Sequence, residues 1–238
     1  MNIAIIGYGK MGKIIEKLAI QKEHSIVLKI DDSNLNELTV ENLKKADVAI
    51  EFTGPKVAFG NISLCFDAGI PVVSGTTGWL DKFNEVKERC ETEKQAFFYA
   101  SNFSLGVNIF FKLNQQLAKI MNKFEGFNVS VDETHHSHKL DAPSGTAITI
   151  ADDIISEVKR KENWVKEKTE NDKQIAIKSF RIGEHPGEHT VTYSSNTENI
   201  AITHESKNRE GLAQGALMAA EFIIGKTGVL GMNDLLNI

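Results

Sequence analysis

Long apolar runs are missing from this 238-residue chain. Lys, Glu or Gly interrupts each hydrophobic stretch well short of the ~20 residues that a membrane helix needs, so no helical span is expected. Cysteine is nearly absent, with only Cys65 and Cys90. Each sits in a segment of helical pattern, so both are expected as free thiols rather than as part of a disulfide framework. Basic residues are not in excess: 27 Lys and Arg stand against 32 Asp and Glu, a net charge of −5. That balance lacks the positive footprint of a nonspecific nucleic-acid binder. The first strand pattern begins at Asn2, which leaves no charged segment and apolar core of a secretion signal, and a cytoplasmic location is the expectation. Repeats and low-complexity tracts are also wanting. What remains is 41% hydrophobic and 25% charged, the balance of a soluble globular protein. The length admits one large domain or two moderate ones.

The patterning favours two. Up to about Ala100, short apolar runs at Ile3 to Ile6, Ile26 to Ile30, Val48 to Phe52, Val72 to Val73 and Phe97 to Tyr99 predict strands. Helical patterns at Met11 to Ala19, Val57 to Phe66 and Leu80 to Cys90 separate them. Strand and helix in alternation predict an α/β domain with a Rossmann-type parallel sheet, because parallel strands need long crossovers. The pattern then changes to a helix at Asn108 to Met121, alternation at Phe127 to Asp132 and a helix after Pro143. Strands are expected at Ile175 to Ile182, Thr190 to Tyr193 and Ile200 to Thr203, giving a second, α+β domain for substrate binding and oligomerisation. Arg209 to Ile224 reads as a helix able to return to the first domain. The expected division is therefore 1–104 with 209–238 for the dinucleotide-binding domain, and 105–208 for the second. Lys159 to Lys173, rich in Lys and Glu, reads as the most flexible segment.

Gly7-Tyr8-Gly9-Lys10-Met11-Gly12 is a G-x-G-x-x-G that follows a strand and opens a helix, the context the dinucleotide fingerprint requires. Gly7 permits the tight turn, Gly9 admits a pyrophosphate close to the backbone, and Gly12 lets helix and strand pack closely. The helix start adds unsatisfied N–H groups and partial positive charge. Asp31, 19 residues after Gly12, is positioned to accept the adenosine ribose hydroxyls and would repel a 2′-phosphate. NADH is therefore expected to serve at least as well as NADPH. Asp32 reads instead as a turn acid in an Asx motif before Ser33. Two later loops, Gly75-Thr76-Thr77-Gly78 and Ala100-Ser101-Asn102-Phe103, also follow strands and are expected on the same ligand-binding sheet edge.

The most informative stretch runs from Glu133 to Ala147. His135, His136, His138 and Lys139 form a basic cluster where an anion can dock, and Ser144-Gly145-Thr146 offers hydroxyls and backbone N–H groups at a helix start, a cradle for a carboxylate. A metal site is the rival reading. Neighbouring histidines on a strand point to opposite faces and no closed ligand set accompanies them, so no metal is expected.

The run E-x-H-H-x-x-K-x-D-A-P-S-G-T-A resembles the signature of the 4-hydroxy-tetrahydrodipicolinate reductase family, also called dihydrodipicolinate reductase. Glu51-Phe52-Thr53, Gly75 to Gly78, Asn102 to Asn108 and Ala213-Gln214-Gly215-Ala216 follow in the family's order, and the resemblance covers nearly the whole chain. It implies an oxidoreductase that uses NADH or NADPH to reduce a small cyclic dicarboxylate, giving tetrahydrodipicolinate in lysine biosynthesis through diaminopimelate. It further implies His135 as proton donor or acceptor and Lys139 as a second donor. His136, Lys139, Ser144, Gly145 and Thr146 would hold the substrate carboxylates, and the assembly would be a homotetramer. Gly54 stands where some relatives carry a basic residue near the cofactor, and Asn208-Arg209 replaces a Ser-Arg pair, which leaves cofactor preference and the part played by Arg209 open. A different amino-acid dehydrogenase, or an NAD(H)-binding sensor without turnover, would share the glycine turn but has no need of the His-His-Lys segment.

Overall fold

The computed structural model describes residues Met1 to Asn237. It divides into two compact units, one holding Met1–Leu105 with the chain from Glu210 onward, the other holding Gly106–Arg209.

In the first unit, β1 (Asn2–Ile6), α1 (Lys10–Gln21), β2 (Ser25–Ile30), α2 (Val40–Leu43), β3 (Val48–Glu51), α3 (Pro55–Ala68), β4 (Val72–Ser74), α4 (Phe83–Thr92) and β5 (Ala96–Tyr99) alternate along the chain. β1 buries four consecutive residues, Ile3 to Ile6, as a strand covered on both faces must. Its alternation then decides what covers each face. Ile3 and Ile5 pack with Ile15 and Ala19 of α1, while Ala4 and Ile6 pack with Ala58, Ile62 and Phe66 of α3. α3 starts with Pro55 at its first turn and stops at Gly69, whose φ of 71° reverses the chain at no steric cost.

The second unit contains α5 (Leu105–Met121), β6 (Asn128–His135), α6 (Gly145–Glu157), β7 (Asn163–Lys166), β8 (Gln174–Arg181), β9 (Glu188–Ser194) and β10 (Asn199–Glu205). Its mixed sheet runs β10-β9-β6-β8-β7. Val129 and Val131 of β6 meet Ala147, Ile150 and Ile154 of α6 and Phe110 and Ala118 of α5 in one core. Thus both helices lie on the same face of that sheet.

The chain finishes in the first unit with α7 (Glu210–Ile223), β11 (Gly228–Leu230) and α8 (Met232–Leu236). The parallel sheet then reads β11-β5-β4-β3-β1-β2. Ala213, Ala216, Ala220 and Ile223 of α7 join the core on the α1 side. Gly215 is required there, since a Cβ would fall 1.8 Å from the Phe103 carbonyl oxygen.

Two expectations are corrected. Lys159 to Lys173 is not an unstructured stretch: β7 pairs in parallel with β8, and Trp164 packs against the sheet core. Lys161 is buried, and its Nζ donates to Asn128 Oδ1 (2.6 Å) and to the carbonyls of Asp172 (2.6 Å) and Gln174 (2.9 Å). Leu80 to Cys90 is not one helix either, because a 3-10 turn at Leu80–Lys82 precedes α4. Among the described residues, no helix is long and apolar enough to cross a membrane. Cys65 and Cys90 are free and buried.

Candidate functional site

In the first unit, direction along the sheet reverses at β1, which pairs with β2 on one side and β3 on the other. Ligands of open α/β sheets lie beyond the carboxyl ends of the strands at such a switch point. A cavity of about 750 Å³ opens there, lined by Gly7, Tyr8, Gly9, Asp31, Phe52, Thr53 and Gly54 among others. A second, of about 440 Å³, is lined by Gly7, Gly9, Lys10, Met11, Gly75, Thr76 and Thr77.

The glycine turn has the geometry that a dinucleotide needs. Gly7 has φ of 98°, and a Cβ there would sit 2.0 Å from the Phe52 carbonyl oxygen. At Gly12 a Cβ would fall 2.6 Å from the Gly7 carbonyl oxygen, whereas at Gly9 it would meet nothing within 4 Å. Gly9 therefore leaves open backbone before α1, whose N-terminus has no side-chain cap. An anion can complete those donors. Tyr8 is fixed sideways, with its hydroxyl bonded to Glu16, which also accepts from Lys29 Nζ at 3.2 Å.

Asp31 lines the larger cavity just past β2. The Asx turn expected on Asp32 is carried by Asp31, whose Oδ1 accepts from the Ser33 hydroxyl (2.6 Å) and backbone N–H (2.8 Å). Those bonds, the hydroxyl first, hold its carboxyl below the usual aspartate range. The Ala100-Ser101-Asn102-Phe103 loop follows β5 but lines neither cavity. Ala100 and Phe103 are core residues, and Phe103 stacks on Phe98 with ring centroids 5.8 Å apart.

In the second unit, strand alternation brings Glu133 and His135 to the helix-covered face of β6. Glu133 is wholly buried, with Oε2 at 3.1 Å from His135 Nδ1 and 3.8 Å from His189 Nε2. Its Oε1 accepts from Arg181 Nη2 (3.0 Å) and from the Ser144 N–H (3.0 Å). Burial alone would raise the Glu133 carboxyl, but the bonds from Ser144 and Arg181, with His135 and Ser179 close by, outweigh it and hold the group well below the glutamate range. His189, also buried, is pushed down to about 3, first by burial and then by the neighbouring His135. The site thus pairs an ionised carboxylate with a neutral imidazole.

Ser144 caps α6, its Oγ accepting from the Ala147 N–H at 3.2 Å and lying 3.2 Å from His189 Nε2. With its N–H on Glu133, Ser144 spends its polar groups on holding the site. Gly145, exposed, and Thr146, half-buried, form the first turn of α6 and leave their N–H groups as the anion-binding end. Lys139 Nζ donates to both carboxylate oxygens of Asp141 at 2.8 Å. His136 is half-buried beside His138, their ring centroids 6.3 Å apart.

Glu133, His135 and His189 offer three ligand atoms within 4.8 Å of one another, a possible metal set. The Arg181 guanidinium already balances the carboxylate, and a divalent ion would add positive charge against it. The arrangement suits a carboxylate-oriented histidine better than a metal centre.

Residues 1–103 match the profile described as "Dihydrodipicolinate reductase, N-terminus", and residues 106–236 match "Dihydrodipicolinate reductase, C-terminus". The chain belongs to the dihydrodipicolinate reductase family. It is 48% identical to a 4-hydroxy-tetrahydrodipicolinate reductase of Christiangramia forsetii, over 100% of this chain and 98% of the relative. A reductase of the same description from Caldanaerobacter subterraneus subsp. tengcongensis is 37% identical over 95% and 94% of the two chains. The fold matches a dipicolinate-bound dihydrodipicolinate reductase from Paenisporosarcina with a TM-score of 0.78, at 24% identity over 98% of both chains.

Within this family frame, sequence reasoning overlooked Glu133 as an orienting group and missed Arg181, His189 and Gly187 altogether. Glu133 had a legible signal, since residues i and i+2 of one strand share a face. His189 and Arg181 reach the site only through sheet register, which pairs Glu133 with His189 and His135 with Arg181.

Proposed function

We propose that this chain is a reductase using NADH or NADPH to convert 4-hydroxy-tetrahydrodipicolinate into tetrahydrodipicolinate in lysine biosynthesis. The observation that carries the reading is the buried Glu133–His135 pair beside the first turn of α6, where Ser144 caps only the Ala147 N–H, a proton-handling group next to a carboxylate cradle.

The open backbone at Gly9, the uncapped start of α1 and Asp31 fit a dinucleotide, with Gly7, Tyr8, Lys10, Met11 and Gly12 shaping its turn and Gly75, Thr76 and Thr77 flanking it. Ser101 and Asn102, exposed and half-buried at the next strand end, complete that edge through backbone groups, while Ala100 and Phe103 support it from the core. When bound, the reduced nicotinamide supplies the hydride to C4 of the ring left by loss of the 4-hydroxyl. His135 hands a proton to the nitrogen side of the ring as electrons arrive. Glu133 keeps that imidazole oriented and stabilises its charged form. Lys139, released from Asp141, balances the negative charge that develops. His136 with the Gly145 and Thr146 N–H groups holds the substrate carboxylates, and Ser144 keeps the cradle in shape.

Asp31 supports NADH being used at least as well as NADPH, because its carboxylate opposes a 2′-phosphate. Comparing the Michaelis constants of the two cofactors tests this. A larger constant for NADH than for NADPH counts against it. The functional reading itself is tested by following nicotinamide absorbance while the substrate is generated in situ; NADH must fall only when substrate is present.

The sheet face opposite α5 and α6 carries Ser130, Asp132 and Thr134 of β6 and Phe180 of β8, the last 45% exposed. That face supports a homotetramer built from the second unit, and the free, buried thiols support a cytoplasmic enzyme.

A further inference from the structure

Beneath the cofactor turns lies a buried acid that the reaction itself does not use. Glu51 ends β3, is 0% exposed, and gathers four donors. Its Oε1 accepts from the Thr53 N–H (3.0 Å), the Thr53 hydroxyl and the Thr76 hydroxyl (2.8 Å). Its Oε2 accepts from the Ser74 hydroxyl at 2.6 Å. Thr76 Oγ1 in turn accepts from the Thr53 N–H at 2.8 Å.

These donors come from the ends of two strands. Thr53 lines both cavities at the carboxyl edge of the sheet, and Gly75, Thr76 and Thr77 line the second. The Glu51 backbone carbonyl also accepts from the Gly75 N–H at 3.0 Å. Phe52, next in sequence, is tightly enclosed: a Cβ at Gly7 would meet its carbonyl oxygen at 2.0 Å, and a Cβ at Gly75 would meet its ring at 2.2 Å. All three glycine- and threonine-bearing turns therefore close around one dipeptide, Glu51-Phe52.

A hydroxyl has one hydrogen and two lone pairs. Because Thr53 and Thr76 spend their hydrogens on Glu51, their oxygens can act only as acceptors; Asn61 Nδ2 already donates to Thr53 Oγ1 (3.2 Å) and the Thr53 N–H to Thr76 Oγ1, which leaves each one lone pair for a ligand in the cavities. We propose that Glu51 is a positioning residue for the dinucleotide: it locks the Thr53-Gly54 and Gly75-Thr77 turns together and sets their hydroxyls to receive hydrogen bonds from ribose. The inference rests on the reductase reading above, but it concerns cofactor affinity and not the chemical step.

The test compares Glu51→Gln, Glu51→Asp and Thr76→Val with the unchanged chain, using NADH and substrate made in situ. Gln offers an N–H₂ donor where a hydroxyl hydrogen points, so one hydroxyl must turn over. Losing a bond to a buried acid is worth about tenfold or more. The expected result for Glu51→Gln is a Michaelis constant for NADH raised about tenfold, with kcat and the substrate constant changed less than about twofold. Glu51→Asp keeps an acceptor that still reaches the Thr53 N–H as an Asx turn, and should recover part of the loss. Thr76→Val, which leaves Glu51 in place and fills the same volume, should raise the NADH constant too. It should add little to Glu51→Gln, because both break one bridge.

A Glu51→Gln chain whose NADH constant stays within twofold, or whose kcat falls while that constant holds, overturns the proposal. If Glu51→Gln does not fold, an unchanged NADH constant in Thr76→Val overturns it equally. Failure of the reductase reading shows differently, as absent turnover in the unchanged chain, and direct titration with NADH alone then still reports the affinity loss.

Discussion

His135 places Nδ1 3.1 Å from an ionised oxygen of Glu133, a charge contact outside hydrogen-bond geometry that favours an imidazolium on that ring. Replacing Glu133 by Gln removes the charge that stabilises the imidazolium. It is expected to lower kcat roughly 10²-fold while the Michaelis constant for NADH holds, as steady-state rates at saturating NADH would show. Gly187 lies against Nε2 of the same ring. With φ of 145°, it occupies a backbone region that L side chains avoid, and a Cβ would sit 3.2 Å from His135 Nε2. Gly187→Ala should therefore cost turnover before it costs cofactor binding. A variant with full kcat would show that Nε2 needs no room there. The Lys139–Asp141 pair acts differently, because Asp141 is more than half exposed. Its bonds from Lys139 outweigh partial burial in holding the Asp141 carboxyl below the usual range, yet such a surface pair is cheap for an anionic substrate to displace.

Helix α6 turns a local sequence signal into a site. Ser144 supplies its cap and a bond with His189 through its hydroxyl and the Glu133 contact through its backbone N–H, so a single residue couples helix start to sheet. Ser144→Ala should lower stability by about 1 kcal/mol from the lost cap, read as a shift in the denaturation midpoint; an unchanged midpoint would remove Ser144 from this role. The cap was readable from Pro143-Ser144-Gly145 before any coordinates, as were β1 to β5 of the parallel sheet, because continuous apolar runs such as Ile3 to Ile6 have few alternative fates; the three-residue edge strand β11 was not read. β6 was read too short, ending at Asp132 instead of His135. Its burial alternates through Val129, Val131, Glu133 and His135, and a hydrophobic pattern ends where the buried face turns polar. β7 escaped notice because an edge strand needs only Trp164 and Val165 to pack, and charged neighbours conceal it. The buried polar partners of the site come from β8 and β9, and sequence spacing carries no trace of sheet register.

Across the molecule, the same buried cluster sets the response to acid. The folded His189 sits near 3 and an unfolded histidine near 6.5, so the native state binds fewer protons between those limits. Its contribution is complete above pH ~6.5 and drains away as pH falls towards 3, by an amount on the order of a few kcal/mol. Glu133, lowered as well, adds a loss that begins only below the ordinary glutamate range. Melting temperature should therefore start to drop below pH ~6.5, and His189→Gln should flatten the upper part of that drop; a flat profile from pH 7 to 5 in the unchanged chain would contradict it. The division of labour between the two units is the central claim: a dinucleotide on one, proton transfer and carboxylate binding on the other. It is tested most directly by measuring NADH affinity and turnover together in His135→Gln. The account predicts NADH binding within about twofold of the unchanged chain and turnover lower by 10²-fold or more. Full turnover, or loss of NADH binding along with it, would contradict the account.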